Sequence, residues 1–375
     1  MTGGHWGHHE RKPDVAYDST QDPAEILSSG AAAAGLTDQI RPFAREGSLA
    51  ERFAANPFLM APMAGVSDQA YRSMARAGGA ALAYTEMVSV AGLHYGGEKT
   101  WDLVVPCVLE PDIAVQLFGS KPEQFREAAC LVAERLGGQL ALLDINMACP
   151  VPKVTRKGEG SALLDDPVTA ASLVQACLAG LADAGADVPV TVKIRAARRT
   201  GDPEVAPEFA RAMEAAGASA VAVHGRTASQ LYRGEADWGC VERVARAVSV
   251  PVIGSGDVRG PVEAARMLAE TGAQAVMVAR GTYGNPWVFT DAQRLRAGGE
   301  AASHGLDERL AAFACHVRLL DATHAHMARA RSLAAWYFKG MPNAAALRDR
   351  AMHCKTVAEY LALADELMAQ VGAAV

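Results

Sequence analysis

The sequence contains no long apolar run, although half of its 375 residues are hydrophobic. No stretch approaches the ~20 apolar residues that a membrane-spanning helix needs. The first twelve residues include no apolar segment of the kind found in secretory signals. These absences predict a protein with no membrane span and no secretion signal, and we expect a cytoplasmic protein that is monomeric by default.

Paired cysteines and a strong basic charge are also missing. The seven cysteines are odd in number, are scattered and never form a CxxC pair, which argues against a disulfide framework and a zinc knuckle. His5, His8 and His9 could bind a metal, but a solvated tail explains them better, and we expect no metal site. The net charge of −6 excludes a basic nucleic-acid coat protein. Any polyanion must therefore meet a local basic patch.

Three regions differ in pattern. Residues 1–50 show little periodicity and predict a flexible N-terminal extension with at most one short helix. Residues 51–295 alternate short apolar runs with amphipathic stretches, which predicts eight strands, each followed by a helix. The strand candidates are 58–61, 82–86, 114–118, 140–145, 190–194, 220–224, 251–254 and 275–279. This count and order predict a (β/α)₈ barrel, the α/β fold known as a TIM barrel. The alternative, a doubly wound sheet, usually has a GxGxxG turn after its first strand, and none follows here.

Residues 296–375 predict a small C-terminal all-helical domain. Apolar residues recur at helical spacing in 307–326, 328–339, 344–352 and 357–371, with breaks near Gly340 and Lys355. This domain could be a cap that stabilises the barrel or a domain that grips substrate. The pattern does not choose between them.

The residues that follow the strands carry the chemistry, because barrel active sites lie at the carboxyl ends of strands. After the fourth strand, Cys149 stands before Pro150 and is followed at once by Lys153, Arg156 and Lys157. Small glycine-rich turns follow the seventh and eighth strands, where barrels form phosphate sites from backbone N–H groups. The sequence therefore predicts a thiol beside positive charge, and a ligand that carries phosphate.

The residues Asp-Ile-Asn-Met-Ala-Cys-Pro at 144–150 precede Lys-Val-Thr-Arg-Lys-Gly-Glu-Gly-Ser-Ala-Leu at 153–163. In these motifs the chain resembles the bacterial tRNA-dihydrouridine synthases, and the resemblance runs from about Phe58 into the C-terminal helices. It implies an enzyme that holds FMN in the catalytic barrel at 51–295, binds tRNA with the helical domain at 296–375, and uses NADPH to reduce selected uridines of tRNA.

The same resemblance assigns roles residue by residue. Cofactor contacts fall on Pro62, Met63, Ala64, Gln116, Lys193, His224, Ser255, Gly256, Asp257, Ala279 and Arg280, the last five around the phosphate. Asn146, Arg195 and Tyr232 match positions that hold an extruded uracil. Cys149 would be the catalytic acid that protonates C5 after hydride reaches C6. Nearby cations favour thiolate instead, so we expect those cations to face tRNA phosphates.

Other assignments rest on weaker patterns. Asp144 is expected to be a structural acceptor, and Asp257 could simply cap the next helix. For the arginine pairs at 198–199 and 329–331, contact with tRNA is favoured over simple solvation. The histidines at 316, 324 and 326 are expected to be surface or packing residues of one helix.

Three residues depart from the family pattern. Ala148 and Ala279 stand where glycine is usual, and Ser255 stands where asparagine is common. If residue 148 needs a positive φ, alanine would cost ~1 kcal/mol there. Two alternative functions stay open. One is another FMN-dependent barrel oxidoreductase, of the dihydroorotate dehydrogenase or ene-reductase type. The other is a non-catalytic tRNA-binding protein.

Overall fold

The computed structural model describes residues 21–43, 46–341 and 343–372. Within them eight parallel strands form one sheet, with the order β1-β8-β7-β6-β5-β4-β3-β2. The strands are β1 Phe58–Met60, β2 Tyr84–Ser89, β3 Ile113–Phe118, β4 Leu140–Asn146, β5 Val190–Arg195, β6 Ala220–His224, β7 Val252–Ser255 and β8 Ala275–Val278. A parallel bridge between Met60 and Ala83 joins β1 to the residue before β2. The sheet thus curls round on itself, and the predicted (β/α)₈ barrel fold is confirmed.

Helices cover the outside of the barrel and form the C-terminal region. They are α1 Pro23–Gly30, α2 Leu49–Ala55, α3 Gln69–Ala77, α4 Val90–His94, α5 Glu98–Trp101, α6 Pro122–Leu136, α7 Pro152–Thr155, α8 Pro167–Asp183, α9 Ala206–Ala215, α10 Trp238–Ala247, α11 Pro261–Thr271, α12 Val288–Arg296, α13 Leu306–Ala322, α14 Arg329–Tyr337, α15 Ala344–His353 and α16 Val357–Gly372. The four helices predicted after residue 306 are present. Among the described helices, none combines the length and the apolar character that crossing a bilayer would require.

The segment before the barrel contains α1, the one short helix that the sequence allowed. Ile26 and Leu27 of α1 are buried against the helical region, and the indole of Trp287 donates to the carbonyl of Ala34 at 2.7 Å. Phe43 and Phe53 belong to the apolar cluster inside the barrel. A few apolar side chains therefore anchor residues 21–43 to the barrel and the helical region. His5, His8 and His9 lie outside the described residues.

The helical region and the barrel share one hydrophobic core. Phe58 of β1 and Val276 of β8 lie in the same cluster as Phe313 of α13 and Tyr360 of α16. A second cluster packs the other strands against the helices from α6 to α10. The C-terminal helices are therefore packed on the barrel wall at β1 and β8, beside the glycine-rich turns after β7 and β8.

Candidate active site

Along β4 and β5, every second side chain points into the barrel, and towards the mouth these inward side chains are polar. Leu142 lies in the apolar cluster at the floor of the barrel, and Asp144 and Asn146 follow it on the same face at spacing two. On β5, Thr191, Lys193 and Arg195 repeat this arrangement, and all three are buried. The inner wall therefore changes from apolar at the floor to charged at the mouth.

A chain of hydrogen bonds runs from Asp144 to the backbone of Cys149. Gln116 donates from Nε2 to Asp144 Oδ2 at 2.6 Å, and Asn146 donates from Nδ2 to Gln116 Oε1 at 2.9 Å. Asn146 Oδ1 in turn accepts from the backbone N–H of Cys149 at 2.9 Å. Burial raises the pKa of Asp144 to about 6, although the bonds from Gln116 and Thr191 oppose this shift. Asp144 is thus the structural acceptor that was predicted.

Cys149 lies in a hydrogen-bonded loop and is almost fully buried, with 9% of its surface exposed. Its carbonyl accepts from Ser161 N at 2.9 Å, and Gly160 packs so closely that a Cβ there would lie 2.7 Å from the same carbonyl. Burial raises the pKa of the Cys149 thiol, against the lowering effects of a backbone bond at Val151 and of the charges on Arg195 and Lys193. Burial therefore outweighs the cations, and the thiol is protonated at neutral pH.

Lys193 of β5 and His224 of β6 follow β4 round the mouth, with Lys193 in register with Asn146 and His224 in register with Arg195. Burial, together with the charge of Arg195, lowers the pKa of Lys193 to about 8, while Asp144 opposes this shift. Burial and the surrounding cations hold the pKa of His224 well below its usual range, so the ring is neutral. His224 Nε2 is buried with no hydrogen-bond partner in the described structure. The site thus presents a cation and an unsatisfied ring nitrogen.

The turns after β7 and β8 form a tight cradle. Gly256 has φ +110°, and a Cβ there would lie 2.7 Å from His224 Cδ2. Asp257 has φ 52°, and its carboxylate accepts from Arg226 Nη2 at 2.7 Å and from Ala236 N at 2.8 Å. The interpretation of Asp257 as a helix cap is wrong, because Gly260 precedes α11 and Asp257 is paired with Arg226.

Arg280 extends this cradle towards Tyr232. Its guanidinium lies 4.8 Å from the centroid of the Tyr232 ring and 3.4 Å from Asp257. Tyr232 is 61% exposed at the rim. Ser255 is the last residue of β7, and Ala279 stands directly after β8. The structure therefore brings the predicted phosphate residues together at one end of the barrel.

Arg195 makes contacts that the motif did not predict. Its Nε donates to the carbonyl of Ala148 at 2.9 Å. Its Nη1 donates to the carbonyls of Thr227 and Leu231 at 2.9 and 3.2 Å. These bonds join the Cys149 loop to the loop that carries Tyr232. Arg195 therefore orders two loops around the predicted substrate residues.

The loop after β1 carries Pro62, Met63 and Ala64, which are partly or fully exposed at the mouth. Ser67 Oγ donates to the carbonyl of Met63 at 3.0 Å. The N–H of Gly65 donates to Glu86 on β2 at 2.6 Å. This loop therefore forms one wall of the site and is supported from β2.

The basic residues fall into two groups. Lys153, Arg156 and Lys157 are exposed after the Cys149 loop. By contrast, Arg198 pairs with Asp165 at 3.1 Å, and Arg329 pairs with two barrel carboxylates. Solvated charge therefore does not describe Arg198 or Arg329, since both are engaged within the protein.

The three histidines do not share one helix as predicted. His316 is buried in α13, whereas His324 and His326 follow the end of that helix, and His324 has φ 55°. In the described part of the chain, no three His, Cys, Asp or Glu side chains are grouped to hold a metal ion.

Two functional contacts were missed by sequence reasoning. Arg226 neutralises Asp257 and is buried, and its Nη1 has no partner among the described atoms. Glu86 supports the β1 loop. A carboxylate at the carboxyl end of the second predicted strand was the available signal for Glu86, and the motif His-Gly-Arg at 224–226 was the signal for Arg226.

Known proteins resemble this chain over most of its length. The family model described as dihydrouridine synthase matches residues 59–371. "Probable tRNA-dihydrouridine synthase 1" of Synechocystis sp. is 36% identical over 317 residues, covering 82% of this chain and 85% of that protein. "tRNA-dihydrouridine synthase B" of Xanthomonas axonopodis pv. citri is also 36% identical, over 81% of this chain and 90% of that protein.

Among solved structures, histamine dehydrogenase from Rhizobium sp. 4-9 has a TM-score of 0.47 and 14% identity, over 71% of this chain and 49% of that one. At that score the likeness adds nothing to the fold described above. The relatives and the family model confirm the family and the type of enzyme expected from the motif at 144–150. This chain belongs to the dihydrouridine synthase family.

Proposed function

We propose that this protein reduces uridine in tRNA to 5,6-dihydrouridine, with FMN as cofactor and NADPH as reductant. The observation that carries the proposal is the setting of Cys149. A buried thiol with a raised pKa is fixed at the mouth of the barrel, directly after β4, and the neighbouring strands β5 and β6 present Lys193 and His224 at the same mouth. One face of a planar base can meet the thiol while its other face meets the cofactor.

The residues present fit FMN. His224 Nε2 and Arg226 Nη1 are buried polar atoms without partners in the described structure, and a ligand that supplied partners would remove the cost of burying them. The cradle at Gly256 leaves room only for a residue without a side chain. Arg226 and Arg280 face the single carboxylate of Asp257, which leaves one positive charge for a phosphate.

Each residue then has a role in binding or proton transfer. When bound, FMN supplies the hydride that reduces C6 of uracil. Cys149 donates a proton to C5 from the opposite face, and burial keeps that proton on the sulfur before reaction. Lys193 would stabilise negative charge on the reduced cofactor. Asn146 and Arg195 hold the Cys149 loop in register.

The exposed cations at Lys153, Arg156 and Lys157 supply contacts to RNA phosphates. They adjoin the Cys149 loop, so a bound strand would pass directly over the mouth. A uridine inside folded tRNA must be extruded to reach a buried thiol. Exposed Tyr232, beside Arg280, offers a ring for that base.

Purified protein, FMN, NADPH and tRNA transcribed without modifications test the proposal. The expected result is dihydrouridine in the digested tRNA, which depends on both NADPH and FMN. Tight tRNA binding without any dihydrouridine would favour a non-catalytic RNA-binding protein. NADPH oxidation driven by dihydroorotate-like or enone substrates, with unchanged tRNA, would favour another flavin oxidoreductase.

A further inference from the structure

Arg329, the first residue of α14, joins the helical region to the barrel. Its Nη1 donates to Asp68 Oδ2 at 2.7 Å, and its Nη2 donates to Glu86 Oε1 at 2.9 Å. The arginine side chain is 29% exposed, whereas the side chains of Asp68 and Glu86 are only 13% and 12% exposed. This is a largely shielded contact between two regions, and it differs from the exposed cations after Cys149.

Local structure gives no reason for a cation at this position. Arg329 begins a helix whose first turn contains no acidic residue, and a positive charge at a helix N-terminus opposes the helix dipole. The position is therefore explained by the two carboxylates on the barrel and not by the helix that carries the arginine.

Those two carboxylates also support the loop after β1. Asp68 uses its other oxygen to accept from Tyr71 N and so caps α3. Glu86 uses its other oxygen to accept from Gly65 N at 2.6 Å. Each carboxylate thus divides its oxygens between the backbone around this loop and Arg329. Between these two supports lies the loop that carries Met63 and Ala64.

We propose that Arg329 is a positioning residue that fixes the β1 loop and thereby sets the affinity for FMN. This inference rests on the proposed function, because it takes residues 62–64 as cofactor contacts. It assigns Arg329 to the cofactor site and removes it from the set of RNA-binding cations. The helical region then contributes to the cofactor site through one side chain.

Arg329→Gln tests this assignment. We expect the dissociation constant for FMN, measured by quenching of flavin fluorescence, to rise about tenfold. In the protein without cofactor, amide hydrogens of residues 63–67 should exchange faster, because the carboxylates are released. The dependence of tRNA binding on salt should match wild type, since no phosphate contact is lost.

Two further variants make the result specific. Arg350→Gln breaks a more exposed arginine–carboxylate pair with Glu366 inside the helical region, and it should leave FMN binding unchanged. Glu86→Gln should weaken FMN binding. The double variant of Glu86→Gln and Arg329→Gln should bind FMN with the same affinity as whichever single variant binds it less tightly. Such non-additivity is expected if the two side chains act through one contact.

An unchanged FMN dissociation constant in Arg329→Gln would overturn the inference, whatever happens to thermal stability. A lower salt dependence of tRNA binding with normal FMN binding would make Arg329 an RNA contact and would also overturn it. If the wild-type protein itself binds no FMN, the proposed function fails. If the wild-type protein and Arg329→Gln bind FMN equally tightly, only the inference about Arg329 fails, and the proposed function stands.

Discussion

Lys193 shows how strongly the barrel interior perturbs a single side chain. Its ammonium is buried at the mouth, and its pKa falls from 10.5 to about 8. A group that holds its proton less tightly in the folded state favours unfolding when it is protonated. The stabilisation of the folded state that neutral Lys193 permits is therefore complete above the pKa of Lys193 in the unfolded chain. It is lost as the pH falls through about 8.

Replacing Lys193 with Met removes this dependence in the cofactor-free protein. Between about pH 10 and pH 7, the variant should gain about 2 kcal/mol of unfolding free energy relative to wild type. Urea unfolding at both pH values measures the difference. Lys99→Met, which changes an exposed lysine, should follow wild type. Parallel pH profiles for wild type and Lys193→Met would show that Lys193 is not perturbed.

Ala148 stands where the family pattern has glycine, and the structure shows that alanine at this position is not in a strained backbone conformation. In the described part of the chain, the non-glycine residues with positive φ are Leu231, Asp257, His324 and Asn343. Ala148 therefore does not need the left-handed conformation that favours glycine. Its carbonyl accepts from Arg195, so alanine is compatible with an ordered Cys149 loop.

The turn after β7 is an element whose shape depends on one glycine. Gly256 combines φ +110° with a position where a Cβ would lie 2.7 Å from His224 and 2.8 Å from Ala236. Both the backbone and the surrounding atoms therefore oppose any side chain. Because His224 and Ser255 border this turn, a shift of the turn would also disturb the predicted phosphate site.

Gly256→Ala should therefore lower the unfolding free energy by about 3 kcal/mol and weaken FMN binding. Gly185→Ala is the matched control, because Gly185 also has positive φ, at +64°, but its Cβ would meet nothing within 4 Å. The control should lose about 1 kcal/mol and keep its FMN affinity. Equal losses in the two variants, with unchanged FMN binding, would contradict this account of the turn.

For helices and strands, the sequence predicts correctly those features that depend on a local pattern of residues. The eight strands and the four C-terminal helices follow from apolar periodicity, and the strand ends placed Cys149, Lys193 and His224 at one mouth. The pairing of Arg329 with Asp68 and Glu86 could not be predicted, because it joins residues more than 240 positions apart. The anchoring of residues 21–43 could not be predicted either, because only a few scattered apolar side chains make it.

The charge of the whole molecule is negative, so RNA must approach a restricted surface. The net charge is −6, while Lys153, Arg156 and Lys157 are exposed together after the Cys149 loop. Arg198 and Arg329 are held in ion pairs. The exposed group beside Cys149 is therefore the part of the mouth best placed to bind phosphates.

The double variant Lys153→Gln and Lys157→Gln should weaken tRNA binding. The slope of log affinity against log salt should fall in magnitude by about two, close to one for each lost phosphate contact. Arg246→Gln with Arg266→Gln removes the same charge from the outer helices α10 and α11 and is the control. An equal loss in both double variants would indicate only a general effect of net charge.

Cys149 provides the most direct test of the account as a whole. Cys149→Ala and the control Cys130→Ala, which changes a partly exposed cysteine on α6, are compared with wild type for dihydrouridine formed in unmodified tRNA with FMN and NADPH. We predict that Cys149→Ala is at least about 100-fold slower, with unchanged FMN and tRNA affinity, and that Cys130→Ala equals wild type. Dihydrouridine formation by Cys149→Ala at the wild-type rate would contradict the assignment of Cys149 as the proton donor.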